Sequence, residues 1–202
     1  MKAVILISGN GSNLQSIIDN ADRIDLQISC VISNNKNAFG LKRAESSKIQ
    51  TYIIEPELFN SKEAFDRELI LIINKYDAEL IILAGYMRVL TPLFISRYFG
   101  KIINIHPSLL PKFPGLNTHQ RALDSSDVKH GASVHFVVDK VDSGPVIAQT
   151  YVKINHNDSV ESLSMKVLMK EHDLYPKIIQ WYTQGRLKLI DNNTITLDEK
   201  IL

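Results

Sequence analysis

The stretch Lys2–Ile7 (KAVILI) is apolar without alternation and rich in β-branched residues. A strand with one wet face alternates polar and apolar side chains. An unbroken apolar run is buried on both faces, as in a parallel sheet covered by helices. Glu79–Ala84 (ELIILA) repeats the pattern, and Leu26–Ile32 and Lys101–Ile105 approach it. Between these runs lie segments with helical spacing. LQSIIDNAD follows the first, and Phe39–Lys48 precedes a short strand at Thr51–Ile54. Over Ser61–Tyr76, Phe65, Leu69, Ile72 and Ile73 share one face. Thr91-Pro92 opens a further helix to about Phe99, with proline in the first turn, where its missing N–H costs little. The alternation predicts an α/β fold with a doubly wound, mostly parallel open sheet.

The rhythm changes after Pro107. Ser133–Val138 and Val146–Val152 read as strands with no full helix between them, which predicts an antiparallel extension in the C-terminal half. Ser108–His130 reads as a loop, and His119 and His130 as solvated positions on it. Ser159–Gly185 is helical with an interruption near Pro176, and Leu187–Leu197 is a hairpin around Asp191-Asn192-Asn193. No repeat, low-complexity segment or linker divides the chain, so one domain over 1–202 is expected.

Composition excludes several classes. The net charge of +1 provides no overall field to draw nucleic acid or an anionic membrane. No apolar stretch approaches the roughly 20 residues of a membrane span, and the N-terminus lacks a signal-peptide core. Cys30 is the only cysteine, so neither an intrachain disulfide nor a cysteine-based metal cluster can form. No helical histidine pair suggests zinc. A cytoplasmic protein without metal is expected, as a monomer or homodimer.

Ser8-Gly9-Asn10-Gly11-Ser12-Asn13 lies between the first strand and the first helix. Backbone amides in such a turn, with the positive end of the helix, favour an anion. A dinucleotide site would place a small residue where Leu14 stands and an acidic residue near Ser33-Asn34-Asn35, so NAD is not expected. A phosphate ester fits the turn, and so does an ordinary βα connection that uses glycine for geometry.

Asn104-Ile105-His106 runs out of the strand read over Lys101–Ile105, and Pro107 and Pro111 then fix the exit. Alternation puts Asn104, His106 and Ser108 on one side, at the carboxyl end where open α/β sheets bind ligands. An amide and an imidazole converging there can stabilise a developing oxyanion. Downstream, His135 shares a face with Ser133 as possible support, and Asp139 and Asp142 bracket a turn. A carboxylate beside His106 would orient the ring and favour its charged form. A histidine satisfied by backbone, and aspartates serving only the turn, fit the same residues.

"LISGNGSNLQSIID", "LAGYMRVLTP", "INIHPSLLPKFPGLNTHQRAL" and "HGASVHFVVDKVDSGPVI" together resemble the phosphoribosylglycinamide formyltransferase family, nearly end to end and including "KEHDLYPKIIQWYTQGRL". The resemblance implies a Rossmann-like formyltransferase fold. It also implies formyl transfer from 10-formyltetrahydrofolate, the co-substrate, to the amine of 5-phosphoribosylglycinamide in purine synthesis. Phosphate binding would lie in about 1–100, and folate binding and catalysis in about 101–202. Asn104, His106 and Asp142 match the catalytic set. Gly11, Ser12 and Asn13 match the phosphate cradle, and Glu171 the grip on the glycinamide ribotide. The folate would meet Met87, Arg88, Val89, Leu90, Asn104 and the loop Val138, Asp139, Lys140, Val141 and Asp142. Lys62 stands where the family often has arginine; it keeps the charge and loses the guanidinium fork.

Two neighbouring activities share the catalytic grouping. A 10-formyltetrahydrofolate hydrolase would be expected to carry an extra N-terminal domain, and a methionyl-tRNA formyltransferase a C-terminal one. A non-catalytic phosphate- or folate-binding module is the alternative of a different class.

Overall fold

The computed structural model describes residues Met1–Leu202. They form two compact units, Met1–Asn104 and Ile105–Leu202.

The first unit runs β1 (Lys2–Ile7), α1 (Ser12–Asn20), β2 (Gln27–Ser33), α2 (Phe39–Ser46), β3 (Thr51–Ile53), α3 (Lys62–Asn74), β4 (Leu80–Leu83), α4 (Pro92–Arg97) and most of β5 (Ile102–His106). β1 pairs in parallel with both β2 and β4, β2 with β3, and β4 with β5. Ala3–Ile7 are fully buried, as the unbroken apolar run requires. Helix α3 buries Phe65, Leu69, Ile72 and Ile73 on one stripe, and the Ser61 hydroxyl caps it by accepting from the Ala64 amide at 3.0 Å. Thr91 caps α4, with Pro92 in its first turn. Strand order in this unit reverses between β1 and β4, so the loops leaving those two strands flank the switch point where such sheets hold ligands.

The second unit takes the end of β5 and continues with α5 (Thr118–Leu123), β6 (Lys129–Phe136), β7 (Val146–Lys153), α6 (Val160–Thr183), β8 (Leu187–Leu189), β9 (Ile195–Leu197) and β10 (Lys200–Ile201). The seven-stranded sheet has the order β3-β2-β1-β4-β5-β6-β7, and β6 and β7 form the expected antiparallel extension. The hairpin β8–β9 has the predicted turn, and β10 adds a strand the sequence did not suggest.

Three expectations change. β5 ends at His106, so Ser108 lies beyond the strand, where its hydroxyl donates to the Lys112 carbonyl at 2.6 Å. Part of the expected loop is helix α5, anchored by the fully buried Ala122. Helix α6 continues through Pro176 without interruption. An internal proline costs about 3 kcal/mol or more. Tyr175, Ile178 and Ile179 flank it and are fully buried, and each contributes roughly 1.5–3 kcal/mol, which outweighs that cost.

Candidate active site

The turn after β1 is built from close backbone contacts. Gly11 has a φ of 75° and no side chain caps α1. A side chain on Gly11 would bring its Cβ to 2.6 Å from the Gly40 Cα, and the Gly40 amide donates to the Gly9 carbonyl at 3.1 Å. Only glycine at both positions lets the start of α2 back the turn so closely. Ser8 ties this loop to the one after β4. Its hydroxyl accepts from the Met87 amide at 2.8 Å and donates to Asn34 Oδ1 at 2.6 Å, and its amide donates to the Gly85 carbonyl at 3.1 Å.

The loop after β4 carries Met87–Leu90. Met87 and Val89 are exposed and Leu90 is buried. The Arg88 guanidinium lies 4.2 Å over the Phe65 ring. Lys62 begins α3 and is exposed. Sequence reasoning missed the buried support of this loop: Asp66 Oδ2 accepts from both the amide and the hydroxyl of Thr91, at 2.7 and 2.6 Å. Nothing in "FDREL", which holds two carboxylates, marks Asp66 as the buried one.

In the second unit Asp142 meets two imidazoles. Its Oδ2 lies 3.4 Å from His106 Nδ1, and its Oδ1 lies 3.6 Å from His135 Nε2. The Gly115 amide donates to Oδ2 at 2.8 Å. Asp142 has a φ of 49°, a left-handed conformation that aspartate tolerates better than most residues. On its other side His106 donates from Nε2 to the Phe113 carbonyl at 2.9 Å. Both ring nitrogens of His106 therefore face acceptors, an arrangement that only the imidazolium satisfies in full. Asn104 leaves β5 on the same face as His106, two residues earlier.

The electrostatics pull in opposite directions. Burial drives the His106 pKa below its ordinary value, while the Phe113 carbonyl and the Asp142 carboxylate counter that fall. The expectation that Asp142 simply holds the ring protonated thus omits the cost of burial. Burial alone would raise the Asp142 pKa, but His135, the Gly115 amide and His106 together hold it below the usual carboxylate value. The carboxylate is the settled charge of the cluster.

Ser133 and His135 are both buried in β6, but a register shift between Val134 and His135 gives them different partners. The Ser133 hydroxyl donates to the Ser108 carbonyl at 2.6 Å and accepts from the Leu110 amide at 3.0 Å and from Gln149 at 2.8 Å. It braces the chain leaving His106, and His135 braces Asp142. Val138, Asp139, Lys140 and Val141 form the loop that leads to Asp142; Asp139, Lys140 and Val141 are exposed. Glu171 is buried on α6. His119 and His130 are not solvated loop positions. His130 is buried in β6 and its Nε2 lies 3.1 Å from His119 Nδ1 on α5. No group of three or more His, Cys, Asp or Glu side chains is placed to hold a metal ion. The sequence reading also missed the Phe113 carbonyl and the Gly115 amide. The Pro114-Gly115 pair between them is the turn signal that could have drawn attention to that backbone.

The class follows from comparison: residues 1–179 match the family model described as formyl transferase. Two curated relatives, from Escherichia coli and Haemophilus influenzae, are 49% and 45% identical over 95% of this chain, covering 92% and 91% of their own lengths. Both are named phosphoribosylglycinamide formyltransferase. A solved structure of that name from Coxiella burnetii superposes with a TM-score of 0.96 at 47% identity, over 100% of this chain and 95% of the other. The chain belongs to the phosphoribosylglycinamide formyltransferase family.

Proposed function

We propose that this protein transfers the formyl group of 10-formyltetrahydrofolate to the amine of 5-phosphoribosylglycinamide, giving the N-formyl ribotide and tetrahydrofolate in purine synthesis. The observation that carries this reading is the 3.4 Å approach of Asp142 to His106, side chains far apart in the sequence, within a chain of this family. Gly11, Ser12 and Asn13 hold the ribose phosphate, and Glu171 holds the glycinamide end. Met87–Leu90, Val138–Asp142 and Lys62 serve the folate. The two halves of the chain work as one formyltransferase domain.

The amine lone pair forms a bond to the formyl carbon, and the carbonyl electrons move onto oxygen. The Asn104 amide and the His106 Nε2–H stabilise that oxyanion, each donor being worth about 2.7–4 kcal/mol of barrier. Collapse breaks the bond to folate N10, which keeps the electron pair and takes a proton. The attacking nitrogen gives one up, and His106 carries it between them. Asp142 stabilises the imidazolium and fixes the ring, and Gly115 and His135 fix Asp142.

The substrates are small molecules, not nucleic acid. No helix is long and apolar enough to cross a membrane. The assigned site is the cytoplasm, and the assembly a monomer or homodimer. The deciding experiment follows loss of 10-formyltetrahydrofolate with and without the ribotide. Transfer that depends on the ribotide supports the proposal. Formate release without it identifies a hydrolase, and binding without turnover a non-catalytic module.

A further inference from the structure

The turn after β1 is gripped by a side chain that formyl transfer does not itself require. Arg43, on α2, donates from Nε to the Asn10 carbonyl at 3.0 Å and from Nη2 to Asn10 Oδ1 at 2.9 Å. Its Nη1 donates to Gln15 Oε1, on α1, at 3.4 Å. The guanidinium also lies 4.9 Å over the Phe39 ring, which orients the fork. Asn10 itself is exposed and immediately precedes Gly11. Without the fork, that residue would have only its neighbours to fix its backbone. All three guanidinium nitrogens donate to protein acceptors, so the turn and α1 hold three of the five N–H groups of Arg43.

We infer that Arg43 is a positioning residue for the phosphate site: by holding Asn10 through both its backbone and side-chain oxygens, it sets the amides of Gly11, Ser12 and Asn13 before the ligand arrives. The inference rests on the reading that this turn holds the ribose phosphate. A backbone cradle binds an anion well only when its N–H groups already converge; otherwise ordering the loop is charged against affinity. Formyl transfer takes place at another part of the substrate. The loss therefore falls on ribotide affinity and not on the rate of the bound complex. Lysine at this position would keep the charge without the two-pronged grip.

Steady-state kinetics of Arg43→Ala and Arg43→Lys, with inorganic phosphate as a competitive inhibitor against the ribotide, test it. Charge-assisted hydrogen bonds of this kind predict that KM for the ribotide and Ki for phosphate both rise about tenfold in Arg43→Ala. The same assays should show kcat and KM for the folate within about twofold of wild type, and no rescue in Arg43→Lys. Asn10→Ala, which removes the Oδ1 partner and leaves Arg43 in place, should raise both constants in the same direction. Unchanged KM and Ki in Arg43→Ala, with or without a lower melting temperature, would make Arg43 a structural staple and overturn the inference. Full rescue by lysine would overturn the geometric grip in favour of simple charge. Direct titration of the free proteins with inorganic phosphate reads the turn independently of turnover. If wild type binds phosphate but transfers no formyl group, the proposed reaction fails while the Arg43 comparison still decides its own question.

Discussion

His106 Nε2 donates to the Phe113 carbonyl at 2.9 Å, so the nitrogen proposed to face the oxyanion already has a backbone acceptor. A neutral carbonyl is a weaker acceptor than a developing oxyanion, so the proposed reaction would exchange a modest hydrogen bond for a charge-assisted one. The exchange requires the Phe113 segment to release the ring. Binding of a folate analogue together with the ribotide should shift the His106 Nε2 nitrogen resonance. It should also change amide exchange across Lys112–Gly115. A resonance that stays put in the ternary complex would mean that His106 is not the oxyanion donor.

Removing either end of the His106–Asp142 pair should stop chemistry and spare phosphate binding. His106→Ala should lower kcat by about 10²–10³. Asp142→Asn keeps an acceptor for the Gly115 amide but loses the charge that stabilises the imidazolium, and a loss on the order of 10² is expected. Inorganic phosphate should bind both variants as it binds wild type, because the cradle proposed for it is the turn after β1. Near-normal turnover in either variant would remove the mechanism.

The buried Asp66–Thr91 link should matter for stability. Asp66→Ala strands the Thr91 amide and hydroxyl, which lose their acceptor away from water. A cost on the order of 3 kcal/mol is expected, read as a lower denaturant midpoint with an unchanged slope. Asp66→Asn, which retains one acceptor oxygen, should lose less.

The sequence revealed what side-chain chemistry and strand period can encode. Unbroken apolar runs marked β1 and β4, and the two-residue spacing of Asn104 and His106 placed them on one face. Backbone participants were invisible: any residue offers a carbonyl, so nothing in Phe113 announces that His106 will use it. Short helix α5 was hidden because six residues make too few turns for a period to emerge among prolines, glycines and serines. His130 was misread because it belongs to β6, opposite Val152 of β7, and its partner His119 lies on a helix the sequence did not show. Arg43 was passed over because the arginine that grips a loop and the arginine that faces water look alike in a helix.

Gly144 gives a test of how closely the loop after β6 is set. The Phe136 amide donates to the Pro145 carbonyl at 3.2 Å and closes the loop that carries Asp142. A Cβ on Gly144 would collide with the Phe136 carbonyl, which is backbone and cannot swing aside. Gly144→Ala must therefore shift the loop, at a cost of about 1–3 kcal/mol. A displacement of about 1 Å at Asp142 is enough to lower kcat roughly 10²-fold. The melting temperature and kcat should both fall, with phosphate binding unchanged. A variant with full activity would show that Asp142 tolerates more freedom than its three contacts imply.

The His119–His130 pair makes stability depend on mild acid. Burial, then the proximity of His119 and His106, lowers the His130 pKa from 6.5 to about 4. In the unfolded chain the same imidazole titrates near 6.5. Between those values the unfolded state takes up a proton that the folded state refuses, so stability falls as pH falls from 6.5 toward about 4. Above 6.5 both states are neutral and the contribution is flat. His106 and His119 are also lowered, so their slopes have the same sign. The His130 share is on the order of 2 kcal/mol once solvent screening is allowed for. Denaturant unfolding of wild type and His130→Gln at pH 8, 6 and 4.5 reads it directly. The variant should lose less stability than wild type across that range, even if it starts lower at pH 8. Parallel curves would show that His130 accepts its proton in the folded state as readily as in the unfolded one.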